Sequence, residues 1–298
     1  MGRVADLSTL LIYGAIAALV VAMIAFAIDA SGKIHRSDSA VRRPAANAGI
    51  MVTWLATVFL LLGVITRGIA QRHVPWSNMY EFTVLFTLMG LVIYLVLNAR
   101  GDLRAIGLFV TIPAVSLLGI AVVLLYSAAD GVAPILDHYW LVIHVPLAIG
   151  AVAVSSVAAA LATLQLAKDY TSASSSRLGK LLRPLPTPAA LERLAHRFTA
   201  VGFVLWTFTL IAGAIWANSA WTRAWGWDAK EVWTLVIWVI YAAYLHARAT
   251  RGWDGKRSAY LILLGFLAIL INLFVVNYFF DSKHSYALTT HALQVLMS

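Results

Sequence analysis

The chain contains no cysteine. That absence excludes disulfides, thiolate metal sites and a cysteine nucleophile, and it removes any C-x-x-C-H motif from the chain itself. Charge is also scarce. Asp, Glu, Lys and Arg make up only 12% of the 298 residues, about half the share found in a soluble domain. Hydrophobic residues reach 61%, too many to bury in one aqueous core. A soluble globular enzyme is therefore excluded, and the composition points to an all-α integral membrane protein.

The apolar residues fall into about eight runs of spanning length, at 10–28, 50–65, 79–97, 106–126, 139–166, 198–217, 232–247 and 260–280. Runs of about 20 residues cross roughly 30 Å of hydrocarbon as helices. The first run follows a single Arg3 and is too long for a signal-peptide core, so it reads as a retained helix. No internal repeat and no second soluble domain is evident.

The net charge of +9 could indicate nucleic acid, but its distribution suggests another cause. Loops after the first, third, fifth and seventh runs hold 16 of the 22 Lys and Arg residues, among them Arg42, Arg43, Arg100, Arg104, Lys180, Arg251, Lys256 and Arg257. The other side holds Arg3, Arg67, Arg72, Arg223, Lys230 and Lys283. Cytoplasmic loops collect basic residues, so the first set is expected inside and both termini outside, with no nucleic-acid partner. The Ser-rich basic stretch 170–185 reads as a cytoplasmic linker.

The least typical segment joins the sixth and seventh runs. Trp216, Trp221, Trp225, Trp227 and Trp233, five of 11 tryptophans, fall within 18 residues on the expected outer side. Two readings are open: an aromatic belt at headgroup depth, or a platform for a large flat π ligand. Asp228 and Glu231 have the D-x-x-E spacing of a capping box before an apolar helix, which is preferred to a catalytic pair. Asn78 and Glu81 have the same form before the third run.

The histidines divide by depth. His144 falls at the outer end of the fifth run and His284 beyond the outer end of the eighth, both on the side of the tryptophans. Paired imidazoles are the usual axial ligands of a six-coordinate haem iron, although an interfacial histidine can equally be a structural hydrogen-bonding group. His246 lies deep in the seventh run. An ionisable group at that depth is either functional or an interfacial side chain near Arg248. His35, His73, His138, His196 and His291 are not expected to ligate iron, His138 being the closest to a candidate.

Four motifs in order carry a family resemblance. Pro75-Trp-Ser-Asn-Met-Tyr-Glu81 is similar to a P-x-S-N-x-Y-E stretch, and Trp140-Leu-Val-Ile-His144-Val to W-L-x-x-H-V. The tryptophan loop, followed by Tyr244-Leu-His246-Ala-Arg248, resembles the WWD motif of haem-handling membrane proteins, the group of CcsA (ResC), CcmC and CcmF. Val276-Asn277 and then His284-Ser-Tyr286 resemble the closing motif of the CcsA/ResC family, which this chain resembles most. Thr222 and Ala224 stand where Gly and an aromatic are usual, Ala229 where Pro is, and Phe82 where Ser is.

The resemblance implies cytochrome c biogenesis: non-covalent haem b exposed at the outer face of the cell membrane and delivered to apocytochrome c. It implies His144 and His284 as the outer axial ligands and His246 as a transmembrane ligand. Trp216, Trp221, Trp225, Trp227, Asp228 and Trp233 form the platform, and the only metal is haem iron. The implied partners are a ResB/CcsB-type membrane subunit, an apocytochrome CXXCH and, indirectly, thioredoxin-like thiol reductants, in a haem lyase complex. Residues 1–74 are then N-terminal helices, 75–286 the haem-handling domain and 287–298 a tail. The rivals from other classes are a small-solute transporter, which broken helices at Pro113 and Pro146 would favour, and a quinone-linked cytochrome b subunit.

Overall fold

A computed structural model describes residues 2–35, 44–129, 139–171, 177–182 and 185–280. His138 and His284 lie outside the described residues. Among the described residues, eight helices are long and apolar enough to cross a membrane, and each overlaps one apolar run. They are α1 (Gly2–His35), α2 (Pro44–Gln71), α3 (Met79–Arg100), α4 (Gly107–Leu124), α5 (Tyr139–Thr171), α7 (Pro188–Trp221), α8 (Ala229–Arg251) and α9 (Gly255–Leu270). The short α6 (Arg177–Leu182) precedes α7. α9 runs on through a π-helical turn, Ile271–Val276, into α10 (Asn277–Phe279). No strand occurs among the described residues.

Apolar side chains lie on the outside of the helices as well as in the core, as a lipid surrounding allows. Leu10, Met51, Ile69 and Val123 are more than half exposed, whereas Thr53, Thr111, Thr199 and Asn272 are buried. A buried hydroxyl needs a partner, and the buried threonines bond back to their own helices. Thr53 Oγ1 donates to the Gly49 carbonyl at 2.7 Å and Thr111 Oγ1 to Gly107 at 2.9 Å. α4 and α5 continue through Pro113 and Pro146.

The chain forms two compact units. The first comprises Met1–Trp76, Tyr80–Val132 and Ala167–Pro186, drawing on both sides of residue 75. In it α1 lies along α2 and packs on α4 around Ile12, Leu19, Leu60, Leu91 and Leu118. One expected loop charge belongs to this interior. Arg67 is not in a connection but inside α2, 4% exposed. Its Nε donates to Glu81 Oε1 at 2.7 Å, and Nη2 donates to the carbonyls of Ser127 and Ala128 at 2.8 and 3.2 Å. The Tyr80 ring lies 4.7 Å from the guanidinium carbon, and Gln71 Nε2 donates to the same carboxylate oxygen at 2.6 Å. A guanidinium so surrounded has its charge and donors matched, which is how a cation is kept at the end of a bundle.

The second unit comprises Ser77–Met79, Ala133–Leu166 and Thr187–Ser298. Here α7, α8 and α9 pack together, with Ala158, Ala162, Leu166, Ala195, Tyr244 and Ile262 in one core cluster. Small residues let helix backbones approach where apolar burial gives no net drive. At the far end from the tryptophan loop, Arg248 Nη1 donates to Glu192 Oε1 at 2.6 Å and to Ser258 Oγ at 3.1 Å.

Candidate haem-handling site at the tryptophan loop

The site is built at one end of the second unit, where α5 and α8 begin and α7 ends. α7 closes on Thr222, whose backbone is left-handed at φ 55° and ψ 23°. A β-branched residue is disfavoured there and glycine is preferred. Thr222→Gly should therefore stabilise the protein by about 1 kcal/mol, read as a higher midpoint of thermal unfolding in detergent. No gain would mean that the Thr222 hydroxyl bond to the Trp221 carbonyl, at 2.7 Å, offsets the strain.

The loop then folds on a carboxylate. Glu231 accepts from the backbone N–H groups of Gly226 at 2.7 Å and Asp228 at 3.2 Å. Asp228 accepts from Lys230 N at 2.9 Å, and the pair closes a capping box at the start of α8. The Arg223 guanidinium lies directly over Gly226, where a Cβ would stand 0.6 Å from Nη1 and the flexible arginine side chain would have to move aside.

The five indoles are not equivalent. Trp216 is 1% exposed and meets Trp221 edge-on at 4.9 Å, while Trp221, Trp225 and Trp233 are half-buried. Trp227 is 75% exposed and stands edge-on to Trp225 at 5.8 Å. The group thus offers a buried end and an open end.

His144 belongs to the buried end. Its ring lies nearly parallel to Trp216, at 18° and 6.4 Å between centroids. Nδ1 is 3.0 Å from the Thr209 carbonyl. A carbonyl only accepts, so Nδ1 carries the proton and the neutral ring keeps its lone pair on Nε2. This is the tautomer that a histidine ligand to a metal usually shows, with its other nitrogen donating to a carbonyl. Gly213 makes room for it: a Cβ there would stand 2.9 Å from His144 Cε1. Neither Thr209 nor Gly213 was evident from the sequence, because a main-chain carbonyl and a missing side chain leave no motif.

A second group was likewise missed. Lys230, counted with the outer loop charges, is in the first turn of α8, and its Nζ donates to Asn277 Oδ1. Asn277 Nδ2 in turn approaches Met79 Sδ at 3.5 Å. Three of the sequence motifs, those containing Met79, Lys230 and Asn277, therefore meet at one asparagine. The deeper Thr234 accepts at its carbonyl from Trp206 Nε1 at 3.0 Å and at its hydroxyl from Asn272 Nδ2 at 3.5 Å.

His246 is not in this group. It lies on α8 17 residues after Ala229, about 25 Å along the axis, with an exposed side chain. His73 and His196 have other partners, the Val74 carbonyl at 2.7 Å and the Tyr244 hydroxyl at 3.1 Å. Among the described residues no three His, Cys, Asp or Glu side chains gather as a protein-only metal site.

Comparison with known proteins identifies a family. The family model described as cytochrome C assembly protein matches residues 76–284. The cytochrome c biogenesis protein CcsA of Prochlorococcus marinus subsp. pastoris is 34% identical over 259 residues, covering 79% of this chain and 82% of the relative. That of Guillardia theta is 34% identical over 251 residues, covering 77% and 81%. CcsA of Gloeobacter violaceus is 32% identical over 276 residues, covering 75% and 82%. Among solved structures, cytochrome c heme lyase CcmF superposes with a TM-score of 0.68 at 16% identity, which speaks for a shared fold. The match covers 99% of this chain and 49% of CcmF, so this chain spans about half the length of that protein. With the family model matched over most of the chain and these relatives over most of their length, the chain belongs to the CcsA family of cytochrome c biogenesis proteins.

Proposed function

We propose that this chain takes up haem b without a covalent link, exposes it at the outer face of the cell membrane and presents it to apocytochrome c. The observation that carries the reading is His144: half-buried beside the tryptophan loop, its ring oriented by the Thr209 carbonyl and Trp216. His284 is the second axial ligand in this proposal. Trp221, Trp225, Trp227 and Trp233 line the porphyrin, Asp228 and Glu231 hold the loop, and Trp216 backs the imidazole. Orientation outward follows from the clustering of Lys and Arg in the opposite loops.

His246 serves an inner position on the same route. Its exposed side chain on α8 supports a site completed from outside this chain, by a CcsB-type partner. The acceptor is the CXXCH segment of apocytochrome c, kept reduced by thioredoxin-like proteins. Thiol addition across a vinyl group loses no atom, so the work left to the protein is to hold the two reactants in register. Axial imidazole ligation also favours control of the iron's redox state. A small-solute transporter is the weaker reading, since α4 and α5 run unbroken through their prolines.

The test is an absorption spectrum of the chain purified with its partner from haem-replete cells. A Soret band that shifts on reduction is expected, weakened in His284→Ala and partly restored by added imidazole. A preparation without the band, or a His284→Ala variant that matures cytochrome c at the wild-type level, overturns the reading.

A further inference from the structure

We propose that the turn between α8 and α9 binds a phosphate-type anion, supplied by the headgroup of an anionic phospholipid. The turn borders an open, solvent-facing depression of about 330 Å³ lined by Arg251, Gly252, Trp253, Asp254, Lys256 and Arg257. Three cationic side chains thus face one carboxylate. The volume is many times the roughly 30 Å³ share of a water molecule, leaving room for a hydrated phosphodiester.

Gly252 and Gly255 both take left-handed conformations, at φ 58° and 60°, and fold the turn back on itself. Asp254 stands at the N-cap of α9, yet its side chain makes no capping bond. The positive end of a 16-residue helix is therefore directed at the depression without its usual side-chain acceptor. The Arg257 guanidinium carbon lies 6.0 Å from the centroid of the Trp253 ring, and that stacking holds a charge at the rim.

Position selects the lipid as the source. The depression lies between the ends of two helices of spanning length, on the side where Lys and Arg gather. Below it, Tyr260, Leu264 and Leu267 are 52%, 49% and 52% exposed. Their i, i+4, i+7 spacing makes one apolar stripe descending α9. A phosphodiester in the depression and acyl chains along that stripe match a single amphipathic molecule. Basic pockets at the cytoplasmic ends of transmembrane helices bind anionic headgroups by the same physics.

The test uses the full-length chain in nanodiscs of equal parts phosphatidylcholine and phosphatidylglycerol, with retained lipid read by native mass spectrometry. Wild type should keep phosphatidylglycerol in preference. Arg251→Gln with Arg257→Gln should lower that retention about tenfold, while Asp254→Asn, which removes the opposing charge, should raise it. Arg193→Gln, on the same side but outside the depression, should leave it unchanged. Equal retention of both lipids by wild type, an indifferent Asp254→Asn, or an Arg193→Gln as weak as the double variant overturns the proposal. Displacement of phosphatidylglycerol by millimolar inorganic phosphate overturns the lipid as the source, and persistence against it supports the lipid.

Discussion

Under the proposed ligation, alanine at position 144 should lower haem retention and stop maturation of c-type cytochromes, with the fold intact. His144 sits half-buried in a setting that fixes its ring on three sides: the Thr209 carbonyl at Nδ1, Trp216 parallel to its face and Gly213 against Cε1. Truncation leaves a space the size of an imidazole, so added imidazole should restore part of the Soret band. Gly213→Ala is the subtler companion. Its new methyl would overlap the ring and turn Nε2 away while the ligand itself remains. Disturbing the groups that orient a ligand costs roughly 10- to 100-fold in affinity, so haem retention should fall by that order. Normal maturation by His144→Ala would remove this histidine from the mechanism, and wild-type retention by Gly213→Ala would remove the orienting role.

Glu81→Leu should destabilise the protein by about 3–5 kcal/mol. The glutamate is 1% exposed and Arg67 4%, so removing the carboxylate strands a guanidinium that cannot reach water. Gln71 loses its acceptor at the same time. Arg67→Met combined with Glu81→Leu should recover much of the loss, because an apolar pair carries no desolvation cost. Chemical denaturation in mixed micelles, run as a double-mutant cycle, reads both effects. A Glu81→Leu variant as stable as wild type would show that the charge finds solvent and that the pair does not brace the first unit.

These two predictions differ in how far the sequence foretells them. Every spanning helix overlaps an apolar run, and the starts expected at residues 79 and 139 coincide with those of α3 and α5. α7 begins ten residues earlier than its apolar run, at Pro188, since Glu192, Arg193 and Arg197 mask a helical segment to a hydropathy reading. The signals of that start were nonetheless present: Thr187 accepts from Ala190 N at 3.3 Å, with proline behind it. His144 was accessible through motif and position.

The buried ion pair was not. Arg67 and Glu81 are 14 residues apart on different helices, and each taken alone resembles an ordinary charge at a helix end. Lys230 and Asn277 are 47 apart and meet only through tertiary packing. Periodicity reports which residues share a face of one element, and it carries no information about which faces meet. Residue types could therefore be nominated for the proposed site, but the partners that surround them had to come from the folded chain.

The wide turn at Ile271–Val276 settles a conflict of phase along the last spanning helix. Upstream, Gly265 must face Tyr241, where a Cβ would come within 2.6 Å of the ring. Downstream, Asn277 must face Lys230 and Met79. Each α-helical residue turns the chain by about 100°, and a π-helical turn holds one residue more than an α-helical turn. Uniform α-helix through this stretch would meet one appointment and miss the other by about that angle. The extra residue acts as a fixed angular offset, so two faces of one rod are satisfied without a proline or a break.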